Sequence, residues 1–232
     1  IRTDIGPSQE WYTENLRYFY LILPTVDGSL SRRFGFLITA LSLFISTFVM
    51  LRRKRVPGVA RGPAWRLMGV IFATIFTLMF TPTKWTHHFG VFAGLAGSLG
   101  ALAAVAVLPA AMRSRRNRMV FAAAVLFVMA LAFASVNGWW YVSSYGVPFN
   151  NAMPQIGGVT VSALFLALFV ISALYTAWLH FGSRDRGQGR VPRAVTAAPV
   201  PVAAGFMVLV FLASMTAGAI RQYPTYSNGL AN

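Results

Sequence analysis

Residues 34–51 read FGFLITALSLFISTFVML, eighteen residues without a charge or a proline, and the basic run RRKR follows at once at residues 52–55. A helix needs about 17 to 25 mostly apolar residues to cross roughly 30 Å of hydrocarbon. The stretch therefore predicts a transmembrane helix with a basic flank at one end.

Five more apolar stretches without charge follow along the chain, at residues 67–82, 89–112, 119–136, 159–181 and 199–220. The first of these has only sixteen residues, and extending it to Trp85 supplies an interfacial end. The whole chain is 56% hydrophobic and 11% charged, whereas soluble domains carry about a quarter charged residues. We therefore predict an all-α membrane protein, a polytopic bundle with six transmembrane helices.

The net charge of +15 is concentrated in three loops, which hold 14 of the 20 basic residues. These loops, residues 52–66, 113–118 and 182–198, follow the first, third and fifth predicted spans. By the positive-inside rule all three are cytoplasmic, and binding to nucleic acid is then an unnecessary explanation of the charge. The segments at 1–33, 84–88, 137–158 and 221–232 are left on the outer side.

The two ends of the chain are predicted to be outer segments of a larger membrane protein. Residues 1–33 contain EWYTENLRYFYLILP, which reads as an amphipathic helix in the membrane interface. Its expected apolar side is formed by Trp11, Leu16, Phe19, Tyr20 and Leu23. Residues 221–232 are polar and rich in turn formers, which predicts the start of an outer C-terminal domain. The chain opens on Ile1 without a signal peptide, so we expect further sequence upstream.

The third predicted span is rich in small residues: FGVFAGLAGSLGALAAVAV has glycines at 90, 94, 97 and 100. Small residues four apart lie on one face of a helix and allow close approach of a second helix. The pattern predicts tight internal packing, with a contact between subunits as the alternative.

The outer link TPTKWTHHFG, residues 81–90, concentrates groups capable of binding: Lys84, Trp85, His87 and His88. A zinc site is disfavoured because adjacent histidines on a helix point about 100° apart, the chain has no cysteine, and His180 falls at the opposite membrane face. We therefore predict no metal. Lys84 and Trp85 alone would suit an interface anchor, with the ring in the headgroup region and the ammonium reaching water.

The histidine pair favours a second interpretation, a site for a lipid-linked phosphate at the outer leaflet. The anionic oxygens need donors, which Lys84 and a histidine would supply. The aromatic residues of the loop at 137–158 could stack on a sugar; the candidates are Trp139, Trp140 and Tyr141. Four acids on the outer side could in principle serve as a base, although a loop acid is usually solvated: Asp4, Glu10, Glu14 and Asp27.

Long motifs in this chain resemble the mycobacterial Emb arabinosyltransferases, the family inhibited by ethambutol. They are GPSQEWYTENLRYFY, DGSLSRRFGFLITALSLF, TPTKWTHHFGVFAGLAG and NGWWYVSSYGVPF. The similarity extends over essentially the whole sequence. It implies a glycosyltransferase of the GT-C type, multi-pass in the plasma membrane with its active site facing the periplasm, of which the six spans are the last transmembrane helices.

The resemblance also implies an activity. Family members transfer D-arabinofuranose from decaprenyl-phosphoryl-arabinose to the arabinan of arabinogalactan or lipoarabinomannan, with no cofactor beyond that lipid donor. The expected partners are the polyprenyl-phosphate donor, the arabinan acceptor, membrane lipids and a paralogous Emb subunit or a second copy. Carry-over onto KWTHHF assigns donor or ethambutol binding to Trp85 and to His87 or His88, while Lys84 is added from the phosphate argument. The catalytic base, an aspartate in the family, is expected upstream of Ile1.

Two other functions stay open at this point: a segment of a lipid or polysaccharide transporter, and a noncatalytic scaffold subunit of a glycosyltransferase complex. A transporter predicts broken helices with polar groups near the bilayer midplane, whereas the predicted spans carry no internal charge. The paralogue, the acceptor, the linkage and the oligomeric state do not follow from the sequence.

Overall fold

The computed structural model describes residues 9–23, 28–139, 144–182 and 199–231, and most of them are helical. After a short 3-10 helix at Trp11–Thr13, the α-helices are α1 (Asn15–Ile22), α2 (Leu30–Arg53), α3 (Arg61–Leu78), α4 (Ala93–Arg113), α5 (Arg115–Ala132), α6 (Val161–Phe181) and α7 (Pro199–Ala231). A second 3-10 helix, Thr86–Phe92, leads into α4. The predicted all-α membrane protein is confirmed.

Four helices in the described part of the chain are long and apolar enough to cross a bilayer: Leu30–Arg53, Thr86–Ala111, Val161–Phe181 and Pro199–Thr225. The predicted total of six is not confirmed. The other two candidates, α3 and α5, have 18 residues each and contain arginines in their first turns, because they begin at Arg61 and Arg115. The extension of the second span to Trp85 is wrong, since α3 ends at Leu78.

The helix ends follow ordinary capping chemistry. The Ser29 hydroxyl accepts from the amide of Arg32 at the start of α2, and Ser114 and Thr160 cap α5 and α6 in the same way. Such caps satisfy amides that have no partner within the helix. The basic residues that end α2, Arg52 and Arg53, suit the negative end of the helix dipole.

The chain forms two compact units. One contains residues 1–21 and 38–109, and the other contains residues 22–37 and 110–232. In the second unit, α5 and α6 pack antiparallel: Phe133 at the end of α5 meets Phe165 near the start of α6, with ring centroids 5.5 Å apart, and Arg115 lies over the Tyr175 ring at 5.3 Å. Phe206 of α7 joins this cluster, 6.2 Å from Phe133.

The outer loop of the second unit is held by two buried polar side chains. The guanidinium of Arg33 donates to the backbone carbonyls of Ala132, Gly28 and Val136. Asn137 bonds Pro148, Ser214 and the Trp139 indole. A small hairpin that the sequence did not predict follows, with Gln155–Ile156 paired to Val159–Thr160. The turn between these strands is Gly157-Gly158, and both glycines have positive φ, as hairpin turns of this length require.

Three local predictions are wrong. Residues 221–232 were expected to form turns, but α7 continues through Pro224 to Ala231, and the outer C-terminal domain there stays a prediction. Residues 61–66 were assigned to a cytoplasmic loop, but they form the start of α3. The glycines of the third span were expected to pack tightly inside the chain. A Cβ added at position 90, 94, 97 or 100 would meet no atom of the described residues within 4 Å.

Candidate functional site

A buried ionic cluster joins the N-terminal helix α1 to the link between α3 and α4, residues 79–92. The cluster consists of Glu14 and Arg17, at the start of the chain's first helix, and Lys84 of the link. Arg17 is fully buried, and Glu14 and Lys84 are 7% and 2% exposed. Arg17 Nε donates to Glu14 Oε1 at 2.7 Å, and Lys84 Nζ lies 3.4 Å from Glu14 Oε2. Two cations thus share one carboxylate, which leaves this buried cluster with an excess of one positive charge.

The protein-facing side of α1 is the charged one. Trp11 and Phe19 of the expected apolar side are 54% and 55% exposed, while Glu14, Arg17 and Leu21 lie inside. A helix in the membrane interface can place its apolar residues toward lipid and its charges toward protein, which reverses the pattern of a soluble protein. The prediction that the acids are solvated is wrong for Glu14.

Arg17 holds the link in place through donors on both terminal nitrogens. Nη1 donates to the carbonyl of Trp85 at 2.8 Å and to Nδ1 of His88 at 2.6 Å. Nη2 also reaches three acceptors in residues 78–83, namely Leu78 O, Thr81 Oγ1 and Thr83 O. A guanidinium presents five N–H groups in a fixed planar arrangement, and here those groups determine the path of a segment that is 61 to 71 residues away in sequence.

Lys84 does not point outward. Its ammonium donates to the carbonyls of Met79 at 2.6 Å and Thr81 at 3.1 Å, with Glu14 as the third acceptor. An ammonium has three N–H donors, and these three acceptors within the fold match them in number. The interpretation of Lys84 as an anchor reaching water is therefore wrong, and direct contact between Lys84 and a phosphate is not supported by this geometry.

Trp85 and the two histidines occupy the outer part of the same link. The Trp85 side chain is 39% exposed, and the rings of His87 and His88 meet edge to face with centroids 4.3 Å apart. Below them, Thr86, Phe89 and Phe92 form the buried side of the 3-10 helix, which has three residues per turn. Tyr18 of α1 packs on Phe89 at 5.6 Å. Burial raises the pKa of Tyr18, and the Glu14 carboxylate raises it further, so the phenol stays protonated at neutral pH.

The other predicted site residues lie elsewhere or outside the described residues. Trp139 belongs to the second unit, where its indole N–H donates to Asn137 at 2.9 Å and its ring lies 5.4 Å from Phe211. These contacts give Trp139 a structural role, and sugar stacking by it stays a prediction. Trp140 and Tyr141 lie outside the described residues, as do Asp4 and Asp27.

The structure offers no metal centre within residues 9–23, 28–139, 144–182 and 199–231, since no group of three His, Cys, Asp or Glu side chains there could hold an ion. His180 lies in the second unit, with Nδ1 2.8 Å from Arg116 Nη1. The polar groups at the link are therefore suited to hydrogen bonding and charge stabilisation.

The family described as "Mycobacterial cell wall arabinan synthesis protein" matches residues 1–182. The chain belongs to this family. Relatives that carry the name "Probable arabinosyltransferase B" match all 232 residues, with 72% identity in Mycobacterium avium and 68% in Mycobacterium tuberculosis strain H37Rv. A "Probable arabinosyltransferase C" of Mycolicibacterium smegmatis is 49% identical over 235 aligned residues.

The arabinan synthesis family also supplies a similar solved structure. The cryo-EM structure of arabinosyltransferase EmbB from Mycobacterium smegmatis superposes with a TM-score of 0.72 at 61% identity, covering 81% of this chain and 18% of that one. The chain spans about a fifth of the length of the curated relatives it matches, 22% for the Mycobacterium avium protein and 21% for the Mycobacterium tuberculosis protein.

Proposed function

We propose that this chain is part of a membrane arabinosyltransferase that transfers D-arabinofuranose from decaprenyl-phosphoryl-arabinose to the arabinan of arabinogalactan or lipoarabinomannan. The observation that carries the proposal is the identity of 68% to 72% over the whole chain with proteins named arabinosyltransferase B. Because identity falls to 49% against a protein named arabinosyltransferase C, the B type is the paralogue that we assign.

We assign donor binding to the outer part of the link, at Trp85, His87 and His88. The Trp85 ring is partly exposed, the two imidazoles lie beside each other, and the buried cluster beneath them has a net positive charge. A fixed excess of positive charge attracts an anion such as a phosphodiester. Lys84 contributes to this field from inside the fold. Ethambutol is expected at the same link.

In the proposed reaction, the acceptor hydroxyl attacks C1 of arabinose as the bond from C1 to the phosphate oxygen breaks. Negative charge then develops on decaprenyl phosphate, and hydrogen-bond donors aimed at that oxygen lower the barrier. The base that takes the acceptor proton is expected in sequence beyond this chain. Within the chain, Glu14 is poorly suited to that role, because both of its oxygens are engaged by cations.

We propose that the protein is a multi-pass protein of the plasma membrane and that the link at residues 79–92 faces the periplasm. This orientation follows from the basic residues at the other ends of the helices: Arg52 and Arg53 end α2, and Arg115 and Arg116 begin α5. The proposed partners are the polyprenyl-phosphate donor, the arabinan acceptor, membrane lipids and a paralogous Emb subunit or a second copy.

A transporter is less well supported. Transporters of the broken-helix type bind substrate where helices unwind near the midplane, and α2 and α6 run without interruption over Leu30–Arg53 and Val161–Phe181. The proline within α4, Pro109, lies in its last turns.

The test is the transfer of arabinose from a synthetic polyprenyl-phosphoryl-arabinose donor by the natural full-length protein and by its Trp85→Ala, His87→Ala and His88→Ala variants. We expect at least one histidine variant to lose about 10²- to 10³-fold in kcat, the effect of removing one transition-state donor. His180→Ala is the matched control, since this exposed histidine lies outside the link. Wild-type rates in all three link variants would refute the assignment of the site.

A further inference from the structure

Arg17 of α1 donates several hydrogen bonds to the link, and neither the sequence pattern nor the proposed mechanism assigns it a role. It is fully buried, and it joins three parts of the first unit: Glu14 on its own helix, the end of α3, and the Trp85–His88 segment. A single terminal nitrogen, Nη1, serves both the Trp85 carbonyl and the His88 ring. This nitrogen therefore ties the His88 imidazole to the Trp85 carbonyl, in addition to the backbone hydrogen bond that the His88 amide donates to the same carbonyl.

The contact with His88 also determines where the ring hydrogen lies. A guanidinium can only donate hydrogen bonds, so at 2.6 Å from Nη1 the Nδ1 atom of His88 has to present its lone pair. The hydrogen of the neutral ring is then on Nε2. A proton added at Nδ1 would face an N–H of Arg17 and would lose the hydrogen bond, so the contact also opposes protonation of His88.

The net positive charge of the neighbouring cluster acts in the same direction. Arg17 and Lys84 are cations, and the Glu14 carboxylate between them offsets one of the two charges. His87 is a further titratable neighbour, in edge contact with His88 at 4.3 Å.

We propose that Arg17 is a positioning residue for the donor site: it holds His88 as the neutral Nε2–H form and fixes the ring relative to Trp85. The catalytic consequence of this inference rests on the proposed function. At a donor-binding link, the Nε2–H group of His88 donates a hydrogen bond, which suits an anionic phosphate oxygen. Arg17 itself is buried beneath the link and acts through His88.

The first measurement needs no activity. NMR of the full-length protein labelled with ¹⁵N in the imidazole rings reports the protonation and tautomer of each histidine, and the signals that disappear in His88→Asn are assigned to His88. At pH 5.5 an ordinary histidine is about 90% protonated, since its pKa is about 6.5. We expect His88 to remain neutral there, with the hydrogen on Nε2. A His88 that is protonated at pH 5.5, or that carries its hydrogen on Nδ1, would overturn the inference.

The second measurement uses Arg17→Lys, which keeps the charge beside Glu14 but loses the planar arrangement of donors. We expect His88 of this variant to be more protonated at pH 5.5 than in the unchanged protein, because the hydrogen bond to Nδ1 is lost. In the full-length protein we expect a fall in kcat of about tenfold or more, together with a new loss of activity below about pH 6.5. A merely structural role would lower thermal stability without creating that pH dependence.

Arg116→Lys is the matched control, because Arg116 makes the same kind of contact to Nδ1 of His180 in the second unit. It should leave the His88 signals and the transfer rate unchanged. The two proposals fail separately. Normal transfer by His88→Ala combined with a neutral His88 at pH 5.5 would remove His88 from the donor site and leave the contact with Arg17 standing. An ordinary titration of His88 would remove the positioning role whatever the activity.

Discussion

Replacing Glu14 with glutamine should show how strongly the buried cluster holds the first unit together. Glu14 is the shared counter-charge of two buried cations, with Arg17 Nε at 2.7 Å and Lys84 Nζ at 3.4 Å. At an effective dielectric constant of 20, each attraction is about 5 to 6 kcal/mol before desolvation is subtracted. Removing one partner of a buried ion pair typically costs about 3 to 5 kcal/mol, because a charge is left uncompensated. We therefore expect Glu14→Gln to lose at least about 3 kcal/mol of unfolding free energy, the lower end of that range.

Unfolding in detergent, followed by the fluorescence of the six tryptophans, measures this loss. For a chain of this size, about 3 kcal/mol corresponds to a fall in Tm of roughly 6 to 12 °C. Glu10→Gln is the matched control, because Glu10 is exposed, and it should change stability by less than about 0.5 kcal/mol.

A double-mutant cycle separates charge imbalance from simple loss of contacts. Glu14→Gln combined with Lys84→Met restores the net charge of the cluster, so the double variant should be more stable than the sum of the two single changes by about 1 kcal/mol or more. If Glu14→Gln behaves like Glu10→Gln, or if the two single effects simply add, the cluster is not the electrostatic unit described above.

Two further predictions concern the second unit and use the same unfolding assay. Arg33→Met removes three hydrogen bonds to backbone carbonyls and should lose about 3 kcal/mol, roughly 1 kcal/mol for each. The adjacent Arg32→Met serves as control, and equal losses in the two variants would contradict the prediction. Gly146→Ala should cost at least twice as much as Gly157→Ala. Both positions have positive φ, which costs about 1 to 2 kcal/mol for a residue with a Cβ, but only the new Cβ at 146 would collide with a neighbouring side chain. Similar losses in the two variants would contradict the prediction and would show that the loop at Gly146 shifts to accommodate the new Cβ.

The class of fold and the position of the link could be predicted from sequence because both depend on signals that are local and strong. Apolar runs of transmembrane length give the helices, and flanking arginines predict an orientation for them. Helices α3 and α7 depart from these signals. The first turn of α3 contains Arg61, and α7 continues through Arg221 and Pro224. The composition of both segments suggested a loop.

The main error in the site was the role given to the charged residues. Composition placed Lys84 at the water side and left the acids of the N-terminal segment solvated, which is where charged residues usually lie. The structure buries Glu14, Arg17 and Lys84 instead. The spacing of Glu14 and Arg17, three residues apart on one helical face, was the available signal. Their contacts with Lys84 and His88 join positions 70 and 71 residues apart, and no local pattern records such pairings.

The long sequence separation within the cluster has a consequence for how the protein is made. Arg17 contacts His88, 71 residues later, so its partners in the link do not exist when α1 leaves the ribosome. At about 5 to 20 residues per second, synthesis of that interval takes roughly 4 to 14 seconds. During this time two helices, α2 and α3, have to be placed before Glu14 and Arg17 can be enclosed. During biogenesis, the charged side of α1 therefore stays without its partners from the link until the segment after α3 has been synthesised.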